Sequence, residues 1–210
     1  MPGFGQLADT FERWRGFPGR ERVDRGVALS FDDGPDPDAT PSVIEQLQRA
    51  GVRATFFLVG EQLLVHHELG RAIVEAGHDV GLHGFRHVEH DELVDPREDL
   101  LRGLDAIESA TGVRTRLCRP PYGRFSDASF AACAELELEP VYWSAWGMDW
   151  EPLAAERIAE LVTRDLDAGA IVLLHDSARY APRSSAAPTA DALGEIAAAI
   201  RDRGLEPVGL

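Results

Sequence analysis

From residue 27 to its end the chain alternates between short apolar, β-prone runs and amphipathic segments with helical spacing. The runs fall at 27–31, 54–59, 79–83, 116–119, 140–143, 170–175 and 205–208. Between them lie stretches such as "TPSVIEQLQRAG", "ELGRAIVEAGH", "DLLRGLDAIESATG", "DASFAACAELEL", "AAERIAELVTRDLDAG" and "TADALGEIAAAIRDRG". Four of these close on a glycine (Gly51, Gly77, Gly169, Gly204) shortly before the next run, as left-handed helix ends do. Strands separated by helices pair in parallel, so the rhythm predicts a parallel sheet with its helices outside. A closed barrel and an open doubly wound sheet both satisfy it. No Gly-x-Gly-x-x-Gly follows the first run, which argues against a dinucleotide fold, and the expectation is an α/β barrel of about seven parallel strands. With 210 residues, 44% of them hydrophobic, the chain can bury one sizeable core. We therefore expect one domain over residues 26–210, preceded by an irregular or helical leader at 1–25 packed outside it.

The formal net charge of −15, with no basic patch along the chain, argues against a nucleic-acid partner. The N-terminal stretch lacks the apolar centre of a signal peptide, and nowhere do about 18 apolar residues follow one another. The expectation is a soluble, cytoplasmic protein with no membrane partner. Cys118 and Cys133 sit in apolar surroundings and are expected to be reduced and buried. The small-residue and proline-rich stretch 177–189 reads as a long loop.

Residues with chemistry in them recur where the runs end: Asp32 and Asp33, then His83 and His87, then Arg119, then His175. In βα barrels the C-terminal ends of the strands carry the active site. Two adjacent carboxylates repel each other and call for a cation. His83 and His87 are four apart, so on a helical turn both imidazoles would face the same way. Two neutral imidazoles and one carboxylate make a three-ligand site suited to Zn²⁺, with Co²⁺ or another divalent metal as an alternative. One aspartate of the pair can bind the metal while the other stays free as a base. His66, His67, His78 and His90 read as solvated or capping residues.

"SFDDGP", "HGFRH", "RPPYG", "DW" and "LLH" occur in the order and spacing of the motifs of the polysaccharide deacetylase family. The resemblance, to the NodB-like domain of carbohydrate esterase family 4, covers residues 27 to about 208. It implies a distorted (β/α) barrel and a metal-dependent deacetylase of N- or O-acetylated sugars. Carried over by position, it implies Asp32 as general base, Asp33, His83 and His87 as metal ligands, and His175 as general acid. Arg119 would pair with the base, and the backbone N–H of Tyr122 would help hold an oxyanion. Two positions depart from the pattern. Gly84 stands where a Ser or Thr usually props the ligand loop, which implies weaker metal binding. Trp146 stands where a first aspartate is common, leaving Asp149 as the candidate to orient His175 or Arg119. Tyr122, Trp146 and Trp150 are candidate walls for a sugar ring.

The expected substrate is an acetylated carbohydrate such as a chitin-type or peptidoglycan-type oligomer. The absence of an export signal raises a second expectation, a small acetamide or ester. A non-catalytic carbohydrate-binding module on the same fold fits less well, since neither the base nor any ligand is missing.

Overall fold

The computed structural model describes residues 17–210, so residues 1–16 of the expected leader lie outside the described part. Eight strands form one sheet: β1 (Val27–Asp32), β2 (Ala54–Leu58), β3 (Asp79–Leu82), β4 (Leu117–Cys118), β5 (Glu139–Pro140), β6 (Ala145–Trp146), β7 (Ile171–His175) and β8 (Pro207–Val208). The helices are α1 (Thr40–Ala50), α2 (Gly60–Val65), α3 (His67–Glu75), α4 (Pro96–Thr111), α5 (Asp127–Glu135), α6 (Ala155–Arg164) and α7 (Ala187–Asp202). Every ladder is parallel, and the sheet runs β5-β4-β3-β2-β1-β7-β6, with β8 also paired to β1. Seven strands thus form a curled path. Among the described residues no ladder joins its two ends, β5 and β6, so the barrel is open there. Segment 20–22 lies at that seam, with Arg20 bridged to Val141 and Arg22 to Ala170.

β1 and β2 are buried along their whole length, as strands covered on both faces must be, and this is why they read as unbroken apolar runs. The helices bury one stripe each. In α1 Val43 and Leu47 are fully buried, contributing about 1.5–3 kcal/mol apiece, and Gly51 ends the helix at φ 62°. The start of α4 is fixed by Asp95, whose side chain accepts from the Glu98 N–H at 3.0 Å, with Pro96 at the first turn. Among the described residues no helix is long and apolar enough to cross a membrane.

Two parts of the expected pattern differ. The run at 140–143 is not one strand: β5 ends at Pro140, and a short β6 follows at Ala145–Trp146. The carbonyls of Val141 and Tyr142 bond the Arg119 guanidinium, at 3.2 and 2.9 Å, instead of a neighbouring strand. The loop expected at 177–189 ends earlier, because α7 begins at Ala187. Cys118 and Cys133 are buried and free.

Candidate active site

The register of the sheet assembles the site. Asp32, the last residue of β1, pairs with His175, the last residue of β7, so both leave the sheet at its C-terminal end. His83 follows β3 and Arg119 follows β4, each still tied to the strand beside it, through His83 N–H to Leu58 O and Arg119 N–H to Leu82 O, both at 2.9 Å. Asp33 comes next after Asp32 with φ 80°, a left-handed backbone that aspartate tolerates better than most residues.

Arg119 is fully buried. Its Nη1 donates to Asp32 Oδ1 at 2.8 Å and to Ser30 Oγ at 2.9 Å, and its guanidinium lies over the Phe57 ring at 4.2 Å from the centroid. Burial pushes its pKa down while the Asp32 charge opposes that fall. Removing either partner from such a buried pair strands the other and costs about 3–5 kcal/mol. The main-chain carbonyl of Arg119 in turn faces His83 Nδ1 at 2.8 Å.

That contact decides what His83 can do. A carbonyl only accepts, so Nδ1 carries a proton, and Nε2, 3.4 Å from Asp33 Oδ1, is the nitrogen left to meet the carboxylate or a metal. His87 Nε2 lies 3.0 Å from the same oxygen. One donor atom from each of Asp33, His83 and His87 falls within 4.8 Å of the others. Two imidazole nitrogens and a carboxylate oxygen, with one tautomer fixed by an outer hydrogen bond, form a donor set that fits a divalent metal. Burial would raise the Asp33 pKa, but hydrogen bonds with His83 and His87 and the nearby His175 hold it well below the usual carboxylate range.

The two histidines do not share a helical turn. Residues 83–89 form an irregular bend, with the two rings 5.3 Å apart and inclined at 49°. Gly84 has φ 78°, and the following N–H, of Phe85, donates to Asp99 Oδ2 of α4 at 2.8 Å rather than along a helix. The convergence of the imidazoles comes from this propped bend. His90 is 1% exposed, so it is a buried side chain and not a solvated one, and burial lowers its pKa to about 4. His78 is buried as well, with Nδ1 accepting from the Ala54 N–H at 3.3 Å.

Opposite this cluster, Asp149 is fully buried and holds His175 twice: Oδ1 lies 2.9 Å from Nδ1, and Oδ2 accepts the His175 main-chain N–H at 2.8 Å. Asp149 Oδ2 also accepts from Thr189 Oγ1 at 2.8 Å and lies 3.4 Å from Arg183 Nη1. Burial pulls the His175 pKa down, but Asp149, Asp33 and Asp32 outweigh it and raise the imidazole to about 9. Of the two partners the sequence offered to Asp149, the geometry selects His175.

Tyr122 sits at φ 58°, half exposed, with its ring edge-on to His87 at 4.7 Å. Trp150 stands edge-on to His175 at 5.7 Å, while Trp146 is partly buried and packs on the apolar core. The sequence reading missed Asp99, Tyr180, Arg183 and Thr189. Asp99 and Thr189 sit near helix starts like ordinary capping residues; Tyr180 and Arg183 are the only bulky side chains between Arg179 and Ala187, the one local sign that this segment is anchored.

An open parallel βα barrel that gathers carboxylates, imidazoles and an arginine at the C-terminal ends of its strands is the layout of an enzyme. The family model for polysaccharide deacetylase matches residues 19–141, and the chain belongs to that family. It is 35% identical over 193 residues to the chitooligosaccharide deacetylase of Bradyrhizobium sp. (strain ANU 289), covering 87% of each chain. A crystal structure of a peptidoglycan N-acetylglucosamine deacetylase superposes with a TM-score of 0.83 at 27% identity, covering 92% of this chain and 89% of that one. A pseudoenzyme of carbohydrate esterase family 4 from Bacillus anthracis superposes with a TM-score of 0.77 at 26% identity, over 91% of this chain and 64% of that one. The same backbone therefore accompanies enzymes and a pseudoenzyme, and activity has to be argued from side chains.

Proposed function

We propose that this protein is a metal-dependent deacetylase of N-acetylated amino-sugar oligomers, with Asp33, His83 and His87 holding Zn²⁺. A divalent ion there supplies a Lewis acid for the acetyl carbonyl and acidifies a water. Asp32, ion-paired with Arg119, takes the proton of the attacking water. The Tyr122 N–H donates to the oxygen on which negative charge builds, a contribution of about 3 kcal/mol for a well-aimed donor. An amine is too basic to leave as an anion, so His175, protonated through its contact with Asp149, gives its Nε2 proton to the nitrogen. Acetate and free amine result. Arg119 and Asp149 are positioning residues, and Trp146 and Trp150 form the sugar-facing walls.

The observation that carries this reading is the pairing of Asp32 with His175 across adjacent strands. A carboxylate partnered by a cation and an imidazole partnered by an anion are thereby placed side by side, the distribution that a base and an acid require. The names of the relatives, which act on chitooligosaccharide and peptidoglycan, support an oligomeric amino-sugar substrate.

The test is mass-spectrometric assay of zinc-loaded protein on N-acetylglucosamine oligomers of one to four units and on small acetamides. Turnover should rise with chain length, because remote binding energy is used at the reacting centre. Equal rates on one and four units would point to a small-molecule pocket, and oligomer binding without turnover to a carbohydrate-binding module.

A further inference from the structure

A metal-binding imidazole normally donates its second N–H to a carboxylate, carbonyl or water, which fixes the ring. His83 follows this, through the Arg119 carbonyl. His87 does not. Its side chain is 4% exposed, yet Nδ1 has no hydrogen-bond partner among the described residues. The bend that carries it is propped elsewhere, by Asp99 on the Phe85 N–H and on Arg86 Nε at 3.2 Å, and Gly84 offers no side chain to reach the ring.

What touches the His87 imidazole is aromatic. The Tyr180 ring lies 3.9 Å away, centroid to centroid, and within 7° of parallel, while Tyr122 closes the edge. Tyr180 comes from the segment after β7, far from His87 in sequence. Its hydroxyl accepts from Gln62 Nε2 at 3.0 Å and faces Glu61 Oε1 at 3.4 Å, so the ring is tethered at its outer end by α2. The segment's other anchor is Arg183, buried, whose Nη2 donates to the carbonyls of His175 at 3.0 Å and Ser177 at 2.8 Å.

We propose that Tyr180 is a positioning residue of the metal site, its stacked ring fixing the His87 imidazole in the orientation that a hydrogen bond would otherwise set. This rests on the assignment of Asp33, His83 and His87 as the ligands. Stacking constrains the plane of the ring and leaves Nδ1 free of any acceptor, so the aromatic face, and not the hydroxyl, carries the effect.

The experiment measures Zn²⁺ affinity by competition with a chromophoric chelator, and the absorption spectrum of the Co²⁺-loaded protein, for the parent, Tyr180→Phe and Tyr180→Leu. Melting of each metal-free protein reads folding separately. Tyr180→Leu should weaken Zn²⁺ binding by about 10–100-fold, the usual effect of losing a partner that orients a ligand. It should also alter the Co²⁺ spectrum while the metal-free melting temperature stays at the parent's. Tyr180→Phe keeps the ring and should retain the parent's affinity and spectrum. Unchanged affinity in Tyr180→Leu overturns the proposal, as does a loss in Tyr180→Phe equal to that in Tyr180→Leu, which would assign the effect to the hydroxyl. A metal-free melt lowered in step with affinity would make Tyr180 a fold residue and overturn it too. If the parent binds neither Zn²⁺ nor Co²⁺, the ligand assignment itself falls; if His83→Ala abolishes binding while Tyr180→Leu does not change it, only the role of Tyr180 falls.

Discussion

Replacing Asp149 by Asn tests the acid side of the site at small steric cost. In the folded protein His175 titrates at about 9 against an ordinary 6.5, and burial alone would carry it below 6.5. Asp149 is the largest upward influence, through its charge and its hydrogen bond to Nδ1. Without that charge the imidazole should return to roughly 6.5 or lower, a change of about 3 kcal/mol at about 1.4 kcal/mol per pH unit. At pH 8 an imidazole of pKa about 9 is roughly 90% protonated and one of 6.5 about 3%, so the acid form becomes about 30-fold scarcer. The neutral amide also no longer dictates which nitrogen of His175 bears the proton, and the expected loss on N-acetyl substrates is about 10²-fold to 10⁴-fold. The sign follows from the proposed role: an acid acts protonated, so kcat/KM falls as pH rises through the His175 pKa, and in Asp149→Asn that alkaline limb should move toward acid by about 2.5 pH units. A divalent ion bound at Asp33, as proposed, would offset part of the anionic field and place the parent limb below 9, but both proteins would share that displacement. The assay is the pH profile of amine release from an N-acetylated oligomer beside that of nitrophenyl acetate, whose leaving group departs without a proton. An alkaline limb that stays in place, or equal losses on both substrates, would refute the reasoning.

Asp32→Asn retains size but cannot accept a proton, so the rate should fall by about 10²-fold to 10⁴-fold while elemental analysis finds the metal content unchanged; metal lost together with activity would make Asp32 a ligand. Asp176 follows His175 and is fully buried, with Oδ2 accepting from Thr40 Oγ1 at 2.5 Å and Oδ1 lacking a partner. Burial, helped by the charges of Asp33 and Asp36, raises its pKa from 3.8 to about 7. Because the folded value lies above the unfolded one, stability is lost as pH rises from about 4 through 7, by up to roughly 4 kcal/mol. Asp176→Asn removes this dependence, so in metal-stripped protein it should be nearly neutral at pH 4 and stabilising above pH 7 by urea denaturation, and a difference that does not vary with pH would refute the assignment.

The sequence was most legible where one residue performs a task at a strand end. Asp32 and His175 end fully or nearly fully buried strands, and a polar group in that position has no role in the core. It was least legible where a group from elsewhere in the chain takes over the backbone. The strand expected at 140–143 fails because the carbonyls of Val141 and Tyr142 serve a guanidinium 22 and 23 residues earlier. The helical turn expected at 83–87 fails because Asp99 captures the N–H of Phe85 and Gly84 holds a left-handed backbone. Helix α2, six residues long, is too short to show a periodicity. Asp149 could be placed near the site by its motif but not assigned between His175 and Arg119, since its bond to His175 spans 26 residues and depends on how β6 meets β7.

Three of the four residues that escaped the sequence reading, Tyr180, Arg183 and Thr189, lie within ten residues of one another, and this has a mechanical consequence. Arg183 bonds the carbonyl of His175 and approaches Asp149, while Tyr180, three residues earlier, stacks on His87. A single short stretch thus touches the supports of the proposed acid on one side and of the proposed metal ligands on the other. Strands hold Asp32 and His175 in register through backbone hydrogen bonds, but His87 lies beyond β3 on a bend, where no ladder fixes it. Precision there has to come from side chains brought in over long sequence distances. Such contacts leave no periodic trace, and for the same reason a change in this segment should disturb the site while leaving the barrel intact.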